Sequence, residues 1–344
     1  MSTDPDAKRT RTRRRISAFL LQNGLYFFLI ALLGIIIAID PGFFRMQNFV
    51  FIVTQSSTRI IMALGVAGII ILGCVDLSLG RNVGMAAIVS CSLLQAVGYA
   101  QRIYPHLPRL PVILPILLVM ALCSLFLIAI ALIVTKLKVE AFITTLGFSL
   151  IIYGLESLYI DRLNDSAPIG GLDPAFSAFA QGAIEFRSFR IPYLILYAAA
   201  AVGIVWFVWN RTKLGKNMYA IGGNIEAATV SGVNIVLNSV AVFVIAGLLY
   251  GFGGALEGAR TGSATNMLGE GYELDAIAAC VVGGVSLRGG VGSIAGVVTG
   301  VILFQIINYG LVYIGVNPYV QYSVKGLIIV LAITIDSQKY RKRK

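Results

Sequence analysis

Five ionisable side chains lie within long apolar segments of this 344-residue sequence: Arg59, Asp76, Glu156, Glu257 and Lys325. Placing such a charge in hydrocarbon costs at least ~2.5 kcal/mol, so these groups are expected to face protein or water. Carboxylates near the middle of a bilayer are typical of carriers driven by protons or ions. No relay across the middle is evident, because Glu156 and Glu257 lie toward the predicted outer ends of their segments and Asp76 toward an inner end. We interpret the five groups as structural partners or as the lining of a polar path.

The segment 73–80, GCVDLSLG, places a carboxylate and a hydroxyl between glycines at a point where an apolar segment breaks. Irregular backbone at membrane depth is tolerated only against protein or a water-filled cavity. Asp76, Ser78 and Gly80 are therefore candidates for a pathway or hinge element. A plain turn between two helices, capped by Asp76, fits the same residues, and both interpretations stay open.

The sequence contains no recognisable catalytic motif. A phosphate-binding loop of the form GxxxxGK[ST] is absent, as are HExxH and GxSxG. The single histidine, His106, lies in a short proline-flanked stretch, and the spacing of the four cysteines is not that of metal ligands. We therefore predict a chain that is not an enzyme and binds no metal or cofactor itself.

Composition indicates the elements that must position these residues. Of all residues 58% are hydrophobic and 12% are charged, and the mean hydropathy is +0.86, whereas soluble domains are about 25% charged. We predict an all-α polytopic membrane protein with one membrane domain, residues 16–338, and about ten spanning helices. The predicted spans are 16–39, 49–73, 82–99, 111–135, 141–160, 191–209, 236–258, 274–287, 293–313 and 321–337, of which the third and eighth are short.

The distribution of positive charge predicts the orientation. Basic clusters occupy the tails 1–15 and 339–344, and most of the 27 Lys and Arg residues fall on the inner side if both termini are cytoplasmic. Clusters that flank membrane spans contact anionic lipid. The net charge of +11 is thus interpreted as a topology signal and a lipid contact, with no nucleic-acid partner.

Glycines recur at four-residue spacing, for example at Gly247 and Gly251, which is typical of closely packed membrane helices. The pattern SLxxxVG occurs at 78–84 and again at 286–292. Many transporters are built from structural repeats. This echo is too short to establish a repeat.

The predicted inner loop 210–235 contains the signals of a short helix. Asn224 is suited to cap its start, Glu226 places a negative charge in the first turn, and Gly232 can end it. A short helix between two spans is a candidate docking element. Capping alone fits an ordinary surface helix equally well.

Three blocks of the sequence stand out in order: GCVDLSLGRNVG at 73–84, KNMYAIGGNIEAATVSGVN at 216–234 and YELDAIAACVVGGVSLRGGVG at 272–292. Together they resemble the ribose-type sugar permeases of ATP-binding-cassette importers. Segments 141–159, 254–280 and 307–326 are similar to the branch of that family that imports galactose and glucose. Arg81 departs from the family, in which many members have Ser, and this leaves the fine choice of substrate open.

The resemblance implies partners and a role. It implies a homodimer in the bacterial inner membrane, a cytosolic ATPase with two cassettes that binds ATP and Mg, and a periplasmic sugar-binding protein. The substrate would be galactose, glucose or a methyl galactoside, with ribose or another sugar as the alternative. An ion-coupled secondary carrier is the second class of function, and a membrane enzyme or scaffold is the third.

The resemblance also implies that the inner loop couples the permease to the ATPase. The residues assigned to this coupling loop are Gly222, Gly223, Asn224, Glu226, Ala227, Ala228, Ser231 and Gly232. Small side chains at Ala227 and Ala228 are expected to leave a surface that the ATPase can approach closely.

Overall fold

The computed structural model describes residues 30–185 and 190–341. The N-terminal basic tail, the first part of the predicted first span and the end of the C-terminal tail lie outside these residues. Nearly all of the regular structure is helical, which confirms the all-α prediction. A two-stranded antiparallel ribbon of β1 (Ala183–Glu185) and β2 (Arg190–Pro192) is the exception within the described residues.

The helices follow one another in chain order. They are α1 (Ile30–Ile39), α2 (Met46–Ile71), α3 (Leu79–Leu93), α4 (Ile113–Lys136), α5 (Ala141–Asn164), α6 (Pro174–Gln181), α7 (Tyr193–Arg211), α8 (Lys213–Gly223), α9 (Ile225–Val230), α10 (Ile235–Thr261), α11 (Tyr272–Val282), α12 (Ile294–Tyr313) and α13 (Pro318–Arg341), with a 3₁₀ turn at Pro41–Phe44.

Six helices of the described part are long and apolar enough to cross a bilayer: α2, α4, α5, α7, α10 and α12. This is fewer than the ten spans predicted. The predicted third and eighth spans correspond to α3 and α11, which contain 15 and 11 residues. At 1.5 Å per residue these helices are about 22 and 16 Å long, too short to cross a hydrocarbon core of about 30 Å.

The chain divides into two compact units, residues 50–302 and the two ends of the chain, 1–49 with 303–344. In the described part of the terminal unit, the Phe43 ring contacts the rings of Tyr309 and Tyr313. The Tyr309 hydroxyl donates a hydrogen bond of 2.9 Å to the Asn48 side-chain oxygen. These contacts join the start of α2 to the second half of α12 within that unit.

Helices α2 and α10 form the antiparallel centre of the larger unit. Thr58 lies opposite Glu257, and further along α2 a Cβ built on Gly68 would lie 3.3 Å from Val242 Cγ1. Gly247 of α10 packs directly on the α4 backbone at Ser124. This contact confirms the close packing predicted from the glycine spacing.

The short helices α3 and α11 start at the same place and run in opposite directions. Along α3, Val83 lies beside Gly254 and Cys91 beside Gly258, so α3 runs parallel to α10. Along α11, the Tyr272 ring lies under Arg59, and Cys280 donates to the Ala63 carbonyl, so α11 runs parallel to α2. Their starting points meet because the backbones of Gly80 and Gly269 are in close contact. The larger unit therefore contains two opposed half-length helices, each preceded by a non-helical segment.

Candidate coupling and pathway sites

Asp76 lies in the non-helical segment before α3 and is fully buried. Its Oδ1 atom accepts hydrogen bonds from the Ser78 backbone nitrogen at 2.8 Å and the Ser78 hydroxyl at 2.6 Å. Its Oδ2 atom accepts a hydrogen bond of 3.0 Å from the Tyr250 hydroxyl of α10. The first pair is the local turn anticipated for an aspartate, and the third bond fastens that turn to α10. A role for Asp76 and Ser78 in the pathway or as a hinge stays a prediction.

Gly80 occupies the point where α3 and α11 begin. A Cβ on Gly80 would collide with the Gly269 carbonyl and with the Glu273 carboxylate. Only a residue without a side chain permits this approach. Gly80 is thus needed for the junction of the two half-length helices.

A second carboxylate, Glu257, is buried in a complete network. It accepts hydrogen bonds from Thr58 at 2.8 Å, from Arg260 at 2.7 and 3.2 Å, and from Tyr272 at 3.0 Å. The Arg59 guanidinium lies over the Tyr272 ring at 3.2 Å. The interpretation of Arg59 and Glu257 as structural partners agrees with these contacts, because the carboxylate is shared among α2, α10 and α11.

A third carboxylate, Glu156, has a different environment. Its nearest cation is Arg81, with NH1 3.5 Å from Oε1. The same NH1 donates a hydrogen bond of 2.9 Å to the Asn266 carbonyl, and the guanidinium lies 4.2 Å from the Tyr153 ring centre. Sequence reasoning singled out Glu156 and, separately, Arg81 as a departure from the family, but it did not connect the two and did not identify Tyr153 or Asn266. Arg81 lies in the first turn of α3, and Asn266 lies in the segment between α10 and α11. No periodic pattern in the sequence links either residue to Glu156 of α5.

The predicted short helix in the inner loop is present as α9, and its cap is confirmed. The Asn224 side chain accepts a hydrogen bond of 2.9 Å from the Ala227 backbone nitrogen. Glu226 lies in the first turn, and Gly232 follows with a φ of +81°, a conformation that favours glycine. Helix α8, immediately before it, was not predicted. Its buried face consists of Gly215, Met218 and Ile221.

The surface of α9 differs from the prediction at one alanine. Ala227 is exposed, but Ala228 is only 4% exposed and packs inside the chain. The expectation that both alanines face a partner is wrong for Ala228, because this residue is buried within the chain, where α8 and α10 both pack against α9. The exposed apolar side chains are instead Ile225 and Val230, the latter 90% exposed. Ser231 bonds back to the Ala227 carbonyl at 2.8 Å.

Gly222 and Gly223 end α8 against two other parts of the chain. A Cβ on Gly222 would collide with the Ile71 carbonyl at the end of α2 and lie 2.6 Å from the Gly290 nitrogen. The Gly290 nitrogen donates a hydrogen bond of 2.8 Å to that same carbonyl. Gly289 in turn approaches Gly73. The three sequence blocks 73–84, 216–234 and 272–292 therefore meet at one backbone junction.

On the opposite side of the larger unit, Arg109 forms a bidentate pair with Asp173. Its Nε and NH2 atoms donate to the carboxylate at 2.7 and 2.8 Å. The carboxylate also caps α6, accepting from the Ala175 nitrogen at 2.8 Å. The hydrogen bond from Arg109 is the largest cause of the lowered pKa of Asp173. This pair ties the segment before α4 to the start of α6.

Comparisons with known proteins identify the family. A family model described as "Branched-chain amino acid transport system / permease component" matches residues 48–333. The galactose/methyl galactoside import permease protein of Haemophilus influenzae is 54% identical over 325 residues, covering 94% of this chain and 96% of the relative. Its counterpart in Escherichia coli K12 is 52% identical, with 96% and 98% covered.

The ribose import permease protein of Escherichia coli K12 is 33% identical over 328 residues, covering 94% of this chain and 95% of the relative. No solved structure matches the chain. The family model and these relatives extend over the α2–α13 region that contains both helix junctions. The chain therefore belongs to the family of multi-pass membrane permeases that serve as transport subunits of ATP-binding-cassette importers.

Proposed function

We propose that this chain carries galactose, glucose or methyl galactosides across the bacterial inner membrane as the permease of an ATP-binding-cassette importer. The names of its relatives support the substrate class. The geometric observation that supports the mechanism is the junction of Gly222 with Ile71. It places the exposed helix α9 one residue away from a helix whose last turn touches the end of α2. Movement imposed on α8 and α9 would therefore reach a membrane-crossing helix directly.

The partners follow from this role. A cytosolic ATPase with two cassettes would bind ATP and Mg and dock on α9, where Ile225 and Val230 offer apolar contact. A periplasmic sugar-binding protein would deliver the sugar, and a second copy of this chain would complete a homodimer around a central path. Both termini would be cytoplasmic, with anionic lipid at their basic residues.

The ten predicted crossings are consistent with the helix order if the half-length helices are counted with the extended segments before them. The crossings would then be α1 to α5, α7 and α10 to α13. In this scheme α3 and α11 each cross only together with residues 72–78 and 262–271, respectively. Non-helical backbone at membrane depth is stable where protein surrounds it, and Asp76, Gly80 and Gly269 are buried.

Reconstitution tests this function against the alternatives. Proteoliposomes that contain the chain, the ATPase and the binding protein should take up labelled galactose only when ATP is present on the side of the bilayer that holds the ATPase. Omission of either partner should abolish uptake. Uptake by the chain alone, driven by a proton or sodium gradient, would instead establish a secondary carrier. Preferential uptake of ribose by the complete importer would correct the substrate.

A further inference from the structure

The Glu156 carboxylate is buried without the hydrogen bonds that such a group needs. Within the part of the chain that the structure describes, neither Oε1 nor Oε2 has a hydrogen-bond partner, and the residue is 2% exposed. Its neighbour Arg81 directs NH1 to the Asn266 carbonyl at 2.9 Å and remains 3.5 Å from Oε1. A buried charged group without hydrogen bonds is costly. Glu257, in the same unit, accepts hydrogen bonds from three residues and so joins helices to one another. Among the described residues Glu156 accepts none, which indicates a role other than joining helices.

The surroundings of Glu156 combine the groups that recognise sugars. Arg81 supplies a planar donor fork, and its guanidinium lies over the Tyr153 ring. Asn266 adds an amide whose nitrogen is 3.4 Å from the Ser157 hydroxyl. Binding sites for small polar molecules contain an apolar or aromatic wall with a few convergent polar groups. Hydroxyl groups are donors, and the two oxygens of Glu156, neither of which accepts a hydrogen bond within the described part of the chain, are acceptors.

The cluster also lies where transporters with broken helices bind their substrates. Arg81 is in the first turn of α3, and Asn266 is in the segment that leads into α11. The N-cap residue of α3, Ser78, makes no side-chain capping hydrogen bond, and the N-cap residue of α11, Gly271, has no side chain. Sites at the ends of discontinuous helices, near the middle of the membrane, are common in transporters. Gly84 allows the approach, since a Cβ there would lie 3.0 Å from Glu156 Oε2.

The outer surface of the cluster indicates what lies against it. The Arg81 side chain is 18% exposed, and Tyr153 and Asn266 are partly exposed. A guanidinium that faced lipid would be costly. This face of the larger unit therefore borders water or protein, as the lining of a central path would.

We propose that Arg81, Tyr153, Glu156 and Asn266 form a sugar-contact site on the translocation path at the junction of α3 and α11. This inference rests on the proposed function and adds the residues that touch the sugar. A hexose hydroxyl donates to Glu156, the Arg81 fork donates to sugar oxygens, and the Tyr153 ring covers an apolar face of the sugar. The Arg81 side chain is 18% exposed, that of Glu156 is 0% exposed, and the Arg81 guanidinium covers the Tyr153 ring, so the sugar displaces the Arg81 side chain from the carboxylate and from the ring as it binds.

The test uses the complete importer in proteoliposomes, with a saturated binding protein. Glu156→Gln keeps the shape of the side chain but replaces one acceptor oxygen with a donor, and Glu270→Gln alters an exposed carboxylate of the neighbouring loop as the matched control. Uptake is measured for galactose and for each monodeoxygalactose that the binding protein still binds. A hydrogen bond to a charged group contributes ~1.5–3 kcal/mol, so galactose uptake should fall about tenfold or more in Glu156→Gln and stay unchanged in Glu270→Gln.

The pattern across sugars separates contact from structure. If Glu156 accepts from one hydroxyl, the deoxy sugar that lacks this hydroxyl should be carried equally by the wild type and Glu156→Gln. Equal loss for every sugar, or no loss, would overturn the site while ATP-dependent wild-type uptake still supports the proposed function. If uptake by the wild type required an ion gradient and uptake by Glu156→Gln did not, Glu156 would belong to a cation site instead.

A second measurement does not depend on the assembly of Glu156→Gln. A cysteine at Ser157, which is partly exposed beside Asn266, should react with an alkylating reagent in the assembled importer. Turnover with galactose should slow this reaction, and a cysteine at the exposed Lys136, at the end of α4, should react at an unchanged rate. Equal rates at Ser157 with and without galactose would contradict the assignment.

Discussion

Replacement of Gly222 by alanine would add a methyl group at the contact between α8 and the end of α2. An ideal Cβ there collides with the Ile71 carbonyl and lies 2.6 Å from the Gly290 nitrogen. Both atoms belong to the backbone, so neither can rotate away. Gly223 is the matched control, since it follows in the same turn, is exposed, and a Cβ on it would meet nothing within 4 Å.

Only the substitution at Gly222 is expected to lower the free energy of unfolding. Overpacking typically costs ~1–3 kcal/mol. The methyl group at Gly222 also displaces the hydrogen bond from Gly290 to Ile71, which adds ~0.5–1.5 kcal/mol. Alanine in a helix regains up to ~1 kcal/mol relative to glycine at either position. With the helix term at its full ~1 kcal/mol, Gly222→Ala should therefore lower the free energy of unfolding by about 0.5–3.5 kcal/mol, whereas Gly223→Ala should leave it unchanged or raise it by up to ~1 kcal/mol.

Thermal unfolding of the two variants in the same detergent measures this difference. ATP hydrolysis stimulated by the loaded binding protein, recorded with sugar uptake on the same vesicles, measures coupling. Gly222→Ala should lower the Tm and reduce the sugar carried per ATP hydrolysed, with Gly223→Ala as the reference. Equal Tm values and equal coupling ratios for the two variants would refute the importance of the junction.

Three further outcomes are expected. Cysteines introduced at Gly170 and Lys213 should differ in labelling by an impermeant thiol reagent in intact cells, the first labelled and the second protected; equal labelling would contradict the orientation. Arginine at Ala227 should weaken co-purification of the ATPase without reducing the amount of permease in the membrane, and a normal yield of ATPase would make α9 an ordinary surface helix. The pKa of Asp173 is lowered chiefly by its hydrogen bond from Arg109, so this pair stabilises the fold above the ordinary carboxyl pKa of about 3.9 and is lost as the pH falls through the lowered value. Below about pH 4 the wild-type Tm should thus fall more steeply with falling pH than the Tm of Arg109→Gln. Parallel curves of Tm against pH would show that the pair does not stabilise the fold.

Local signals in the sequence were sufficient for several elements. Asn224 and Gly232 define the short helix α9 because capping acts through neighbouring residues. The spacing of Gly247 and Gly251 indicated a close helix contact, and both glycines pack on the α4 backbone. The break at Asp76 was likewise evident from the composition of 73–80.

Other features depend on contacts between distant residues. Helix α8 was missed although its buried residues Gly215, Met218 and Ile221 recur every three residues, as on one face of a helix, because the segment is also basic and rich in glycine. Ala228 is buried where α8 and α10 pack against α9, and no local pattern specifies this burial. The echo between 78–84 and 286–292 does not correspond to equivalent elements, because the first lies at the start of α3 and the second in the turn between α11 and α12.

The larger unit contains two oppositely directed helix pairs of similar form, α2–α3 and α10–α11. In each pair, a long helix is followed by a non-helical segment and then by a half-length helix that runs parallel to the long helix of the other pair. Helix α2 touches both junctions of the larger unit, because Ile71 contacts Gly222 and Gly290 at one end and Arg59 covers Tyr272 at the start of α11. A displacement of α8 would move the end of α2 and the turn after α11 together. We therefore expect the contact between the starts of α3 and α11 to depend on the position of α8.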